Sequence, residues 1–264
     1  MAWATIDTHG TVTAVGFDRT QIVPDPTVTV VDIPDEKAVA VMEGQLKMQH
    51  VIAVPPKEIP LAPLVPLDPT VYNSRYPAMM NERDVDALIH LAQQLPNGAI
   101  AVEAGSRFGG SAQILLDHAA QISRLYCLDP DWADPHSPWI HADPAITPAW
   151  RAMWKLDGFS TCFAYASALL KNYHNVRLLP LASPYEIGWW QEGIDFLFED
   201  SQHVNPQMRD NLSFWLPLVR SGGIIAGHDY SSSWPDVVKE ADALAHTLGV
   251  ELHRQSSVWW VIKP

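Results

Sequence analysis

The chain has 264 residues, of which 47% are hydrophobic, enough for one large domain with a sizeable core plus a small appendage. Its formal net charge of −13, with no Lys/Arg cluster to offset it, argues against a nucleic acid or an anionic membrane as partner. No apolar run reaches membrane-spanning length, MAWATIDTHG lacks the basic-then-apolar order of a signal peptide, and the only cysteines, Cys127 and Cys162, have no metal-type spacing; the expectation is a reduced, cytoplasmic protein.

In chain order, WATIDTHGTVTAVGF alternates apolar and polar residues around a His-Gly turn and reads as a β-hairpin. VTVVDI (28–33) reads as a further strand, and 35–48 as a short helix. Six prolines fall between Val54 and Thr70, and proline fixes φ and donates no backbone hydrogen bond. The expected organisation is therefore a small β-rich module over 1–53, a semi-extended linker over 54–70 and a main domain over 71–264.

The main domain alternates helices and short apolar strands. Asn81 is placed to cap a helix with Val85, Leu88, Ile89, Ala92 and Leu95 on one face. Strands are expected at 99–105, 124–130, 176–181, 194–198 and 223–228, with two closing strands in ELHRQ and SVWWVIK. Helices are expected at 111–121, 148–171, 183–190, 206–220 and 235–248. The fold class is α/β: a mainly parallel, Rossmann-like sheet of seven strands with helices on both faces, beside the small N-terminal β-rich module.

Ligands of such sheets bind at the carboxyl ends of the strands, which singles out the polar residues there. In VEAGSRFGGSA (102–112) a strand runs through a glycine-rich turn into a helix. Gly105, Gly109 and Gly110 permit positive φ and close backbone approach, and the helix start offers N–H groups. Many α/β folds have such a turn without a ligand. Two acids sharpen it. The carboxylate of Glu103 suits an ammonium group better than a phosphate, and Asp129, ending the next strand, is placed to accept from both ribose hydroxyls. Together they point to an adenosine cofactor carrying positive charge.

EAGSRFGGS resembles the first motif of class I S-adenosylmethionine-dependent methyltransferases, in the branch that includes macrolide-sugar O-methyltransferases and cephalosporin-hydroxylase-like proteins. FLFEDSQHVNPQMRDNLSFWLPLVRSGGIIAGHDY (196–230) is similar to that branch along its length, and the resemblance spans about residues 75–263. It implies S-adenosylmethionine as cofactor, with Glu103, Gly105, Ser106 and Ser111 in the binding turn, Asp129 on the ribose and Ser183 near the adenine.

Methylation of a hydroxyl requires the proton to leave, helped by a divalent cation or a positioned base. Asp200, His228 and Asp229 follow two apolar strands, and two carboxylates with an imidazole make a plausible donor set for Mg2+ or another divalent metal. In metal-dependent members of the resembled branch these places hold the ligands, but an acid stands where this chain has His228. His203 stands where the resembled enzymes carry a catalytic base, and Gln202 replaces a second acid. Asp200 would then serve the chemistry directly, whereas Glu199 is expected to face solvent or stand behind the site. The insertion 131–154 has the length of a lid, with Trp132, Trp139 and Trp150 as a wall and His136 and His141 within reach of substrate.

The reading is an O-methyltransferase acting on a small-molecule or saccharide acceptor, with self-association or docking through the N-terminal module as a further expectation. Two alternatives stand beside it: a structural or phage-tail-associated protein carrying a methyltransferase-like domain, and a hydroxylase-like relative on the same scaffold.

Overall fold

A computed structural model describes residues 73–133 and 151–264 in full, the helical backbone of 148–150, and the N-terminal strands 2–7, 12–16 and 28–33. The chain divides into two compact units, Met1–Pro63 and Leu64–Pro264. In the first, β1 (Ala2–Asp7) pairs antiparallel with β2 (Val12–Gly16), as the alternation around His9-Gly10 implies, and with β3 (Val28–Ile33) on its other side. The helix expected at 35–48 and the proline linker lie outside the described residues.

The second unit begins its regular structure with α1 (Glu82–Gln93), capped as its sequence suggests. The Asn81 side chain accepts from the amides of Arg83 and Asp84, and the Asp84 carboxylate accepts from the Asn81 amide. One face of α1, built from Val85, Leu88, Leu91 and Ala92, is fully buried. After it come β4 (Ala99–Ala104), α2 (Gly110–His118), β5 (Ile122–Leu128), α3 (Pro148–Trp154), α4 (Cys162–Leu170), β6 (Val176–Leu179), β7 (Ile194–Glu199), α5 (Gln207–Trp215), β8 (Val219–Gly227), α6 (Pro235–Leu248), β9 (His253–Gln255) and β10 (Val258–Ile262).

The seven strands from β4 onward form one sheet in the order β6-β5-β4-β7-β8-β10-β9. β6, β5, β4, β7 and β8 are parallel, and β10 is antiparallel to both β8 and β9. The chain steps outward from β4 to β6, then returns to lay β7 on the other side of β4, which opens a crevice where the order reverses. Side chains alternate between two cores. Ala101, Phe196, Phe198, Ile224 and Ala226 face α1, α2 and α4, whereas Val102, Leu197, Ile225 and Trp259 face α5 and α6. The expected α/β sheet with helices on both faces is the architecture found.

Three expected helices differ. The span 148–171 is broken, because Lys155 adopts a left-handed φ of 56° and Thr161 starts a new helix by accepting from the Ala164 amide. Residues 183–190 form turns with no helix; eight residues containing Pro184 and Gly188 are too few and too poorly helical to propagate. The helix expected at 206–220 stops at Trp215, ahead of Pro217, and β8 already begins at Val219.

Gly110 marks where the segment before α1 crosses the start of α2: a Cβ there would overlap the Pro77 carbonyl. Replacing Gly110→Ala should cost about 3 kcal/mol of stability in chemical denaturation, since backbone and not a flexible side chain must yield. A loss under about 0.5 kcal/mol would show that this crossing is not tight in solution.

Candidate active site

Register brings the polar residues together. Ala104 pairs with Leu128 on one side and Glu199 on the other, and Glu199 pairs with Gly227. Four neighbouring strands therefore end at one level, and Gly105, Asp129, Asp200 and His228 leave the sheet along one edge. The turn and the acid are in contact: a Cβ on Gly105, whose φ is 91°, would overlap the backbone of Asp200. Asp200 N donates to the Ala104 carbonyl at 2.8 Å, which locks the two strand ends together.

On the β4 side, Glu103 is wholly buried, and neither carboxylate oxygen has a hydrogen-bond partner. Burial pushes its carboxyl up to about 7, with Ser106 and Ser111 beside it restraining the rise. Ser106 Oγ is likewise buried and without a partner. α2 starts from Gly109 with φ 77° and no side-chain cap. A buried acid lacking a cation, a hydroxyl lacking a partner and an uncapped helix start together fit a ligand that carries both an ammonium and a carboxylate. Asp129 is also buried; its oxygens accept from the amides of Arg107 (2.7 Å) and Asp131 (2.9 Å). Burial raises it to about 6, against those two amides, and each oxygen keeps a second acceptor site for a ribose hydroxyl.

Ser183 has both functions of its hydroxyl engaged. It donates to Asn211 Oδ1 at 2.6 Å and accepts from Trp215 Nε1 at 2.9 Å. Asn211 in turn donates to Ser201 Oγ (2.8 Å) and Glu199 Oε1 (3.2 Å). Glu199 thus stands behind the strand end and not in solvent: it is buried, it accepts from Ser201, and burial lifts it to about 7.

On the other side of the crevice, Asp200, His203 and Asp229 offer ligand atoms that all lie within 4.8 Å of one another, the one such group among the described residues. His203 Nε2 is 2.7 Å from Asp229 Oδ2 and 3.4 Å from Asp200 Oδ1. Its ring lies against the indole of Trp234, with centroids 4.6 Å apart. Desolvation alone would lower His203, but the two carboxylates outweigh it and hold the imidazole at about 10. So held, His203 keeps its proton at neutral pH, and a base role requires both carboxylates to be engaged elsewhere. His228, named from the sequence as a ligand, is next to the trio: Nδ1 is 3.5 Å from Asp229 Oδ2 and 3.7 Å from Asp200 Oδ1. Asp229 takes a left-handed φ of 59°, a region that Asp tolerates better than most residues, and this turns its carboxylate back over the cluster. The two imidazoles hold it below the usual carboxylate range despite burial.

Sequence reasoning left out two residues. Trp234 had no motif signal beyond its place shortly after GHDY. Asp84, in the first turn of the helix that Asn81 caps, carries no motif signal, yet its Oδ2 lies 3.4 Å from His228 Nε2. Trp132 belongs to the core: it is buried, donates from Nε1 to the Arg107 carbonyl at 2.8 Å and packs on Phe163. Trp139, His136 and His141 lie outside the described residues, as does the side chain of Trp150.

Residues 102–230 match a family model described as a methyltransferase domain. Among solved structures, the chain is similar to the O-methyltransferase NovP, at 16% identity over 70% of this chain and 81% of that one, with a TM-score of 0.46. It is similar to a precorrin-6y C5,15-methyltransferase from Geobacter metallireducens at 11% identity, over 74% of this chain and 94% of that one, with a TM-score of 0.46. A candidate methyltransferase from Streptococcus mutans, in complex with SAH, is 15% identical over 70% of this chain and 100% of that one, with a TM-score of 0.44. No curated protein matches. Among the described residues no helix is long and apolar enough to cross a membrane.

The buried acids set a pH dependence. Glu103, Glu199 and Asp129 each have folded values above their ordinary ones, so between about pH 4.5 and 7 the folded state binds more protons than the unfolded, and stability falls as pH rises. The melting temperature of the ligand-free protein should drop across that window, and Glu103→Gln should flatten the drop. A melting temperature that climbs from pH 5 to 7 would contradict the burial of these groups as charges-in-waiting.

Proposed function

We propose that the chain, whose residues 102–230 match a methyltransferase domain, is a class I S-adenosylmethionine-dependent enzyme that transfers the methyl group to a hydroxyl oxygen of a small molecule or sugar, with help from a divalent cation. The observation that carries this reading is the group of Asp200, His203 and Asp229 at the same sheet edge as the Gly105 turn. Cofactor and acceptor would then meet across two touching strand ends.

In this reading Glu103 pairs with the cofactor's ammonium, Asp129 takes its ribose hydroxyls, and the start of α2 faces its carboxylate. Asp200, Asp229 and His228 hold the cation, which when bound lowers the pKa of an acceptor hydroxyl. An imidazole in the set favours a first-row transition ion such as Mn2+, which accepts nitrogen more readily than Mg2+ does. Were the two carboxylates to serve a cation, the field that keeps His203 protonated would weaken, and His203 Nε2 would be the group placed to take the acceptor's proton. The acceptor oxygen attacks the methyl carbon in line, the sulfur–carbon bond breaks, and sulfur leaves as a neutral thioether. The sequence expectation of a hydroxylase-like relative has no separate support in this site, and a purely structural role leaves the partnerless carboxylate of Glu103 without a reason.

Calorimetry with S-adenosylmethionine should show binding that releases protons near pH 6, because the ammonium draws Glu103, and the donated ribose hydroxyls draw Asp129, into their charged forms. With a hydroxyl acceptor, turnover should stop with a chelator and return with Mn2+. Asp200→Asn should lower kcat by a factor of 10² or more while cofactor affinity changes less than threefold. Turnover indifferent to chelator would remove the cation from this proposal, and equal loss of cofactor binding in Asp200→Asn would remove the division of labour.

A further inference from the structure

The cation reading above gives no task to the buried acid Asp84, and the following rests on that reading. Asp84 sits on the third residue of α1 and is only 2% exposed. Its carboxylate is fixed from two sides: Oδ2 accepts from the Asn81 amide at 3.0 Å, and Oδ1 accepts from the amide (2.9 Å) and hydroxyl (3.0 Å) of Ser257. A helix cap needs none of this burial, since Asn81 alone already serves the first-turn amides. The side of Oδ2 left over faces His228 Nε2 at 3.4 Å, an ion-pair distance that falls short of hydrogen-bond geometry.

His228 itself is 6% exposed, and its Nε2 has no hydrogen bond. Its other nitrogen, Nδ1, points between Asp200 and Asp229. An imidazole has one N–H in its neutral form, and the acceptor beside one nitrogen decides which nitrogen keeps the lone pair. Asp84 lies on the Nε2 side alone. We propose that Asp84 is a positioning residue that draws the N–H of His228 to Nε2 and so presents the Nδ1 lone pair to a cation held by Asp200 and Asp229. The pair would form a carboxylate–histidine–metal relay, in which the rear acid orients the imidazole and strengthens it as a donor. His228 is then the nitrogen ligand, and the more exposed His203 stays available for proton transfer.

The test is made on the full-length protein with Mn2+ alone, read by pulsed EPR and by Mn2+ titration. Unaltered protein should bind Mn2+ with imidazole nitrogen coupling. In Asp84→Asn, which sets an amide in place of the charged acceptor, that coupling should weaken or vanish and Mn2+ affinity should fall tenfold to a hundredfold. His228→Gln should lose the coupling outright. Asn81→Ala loosens the same helix end and leaves the carboxylate in place, so it should leave the coupling unchanged; a fall equal to that of Asp84→Asn would mean a structural role only and overturn the proposal. Where Asp84→Asn does not fold, Ser257→Ala, which removes one bond to Asp84 Oδ1, should weaken Mn2+ by a smaller factor, and no change would count against Asp84. Coupling that is undiminished in Asp84→Asn, or that survives His228→Gln, overturns this relay while the cation reading stands. Failure of the unaltered protein to bind Mn2+ overturns the cation reading and the relay with it.

Discussion

The parallel pairing of β5, β4, β7 and β8 is the constraint on which the site depends. Their register sets Leu128, Ala104, Glu199 and Gly227 side by side, so residues up to 123 positions apart in sequence emerge from the sheet at one level. A slip of one residue in any pair would turn every side chain of that strand to the opposite face. The two cores forbid such a slip: Phe196 and Phe198 stack on one face with centroids 6.5 Å apart, while Leu197 is buried on the other. The polar edge is thus held in place by apolar packing that never touches a ligand.

At that edge the chain tolerates charges that would be costly anywhere else. Glu103, Glu199 and Asp129 are buried acids without a cationic side chain in hydrogen-bond contact, and burial raises each of them. On the far side of the crevice the balance reverses. There His203 and His228 sit among Asp84, Asp200 and Asp229, and the opposite charges hold the imidazoles high and Asp84 and Asp229 low. One half of the crevice is short of positive charge and the other is self-compensated. A cationic cofactor suits the first half, and a metal that displaces protons suits the second.

Much of this is legible in the sequence, for identifiable reasons. The strands are short apolar runs between helices, the cap at Asn81 is a local pattern, and the residues at strand ends announce themselves once the sheet is parallel. What is not legible depends on partners distant in sequence. Glu199, next to Asp200, reads equally as an acid facing solvent or one behind the site, and only Asn211 and Ser201 closing over it decide between the two. The helix expected at 148–171 hides a break, because nothing in the apolar pattern announces a left-handed Lys155. Asp84 shows no sign of a role beyond capping, since its contacts run to Ser257 and His228, 173 residues away in the first case.

That long reach has a consequence for how firmly the site is held. The turn between β9 and β10 supplies Ser257, which holds Asp84 and also accepts from the Tyr230 amide at 2.9 Å, and Ser256, which meets Asn81 at 3.0 Å. The first helix of the domain and the tip of the β9–β10 hairpin therefore clasp the crevice from positions 173 residues apart in sequence. Local opening of that hairpin would leave every residue proposed for the chemistry in the chain and yet release Asp84 from Ser257. The firmness of the site is therefore set by a turn that supplies none of the residues proposed for its chemistry.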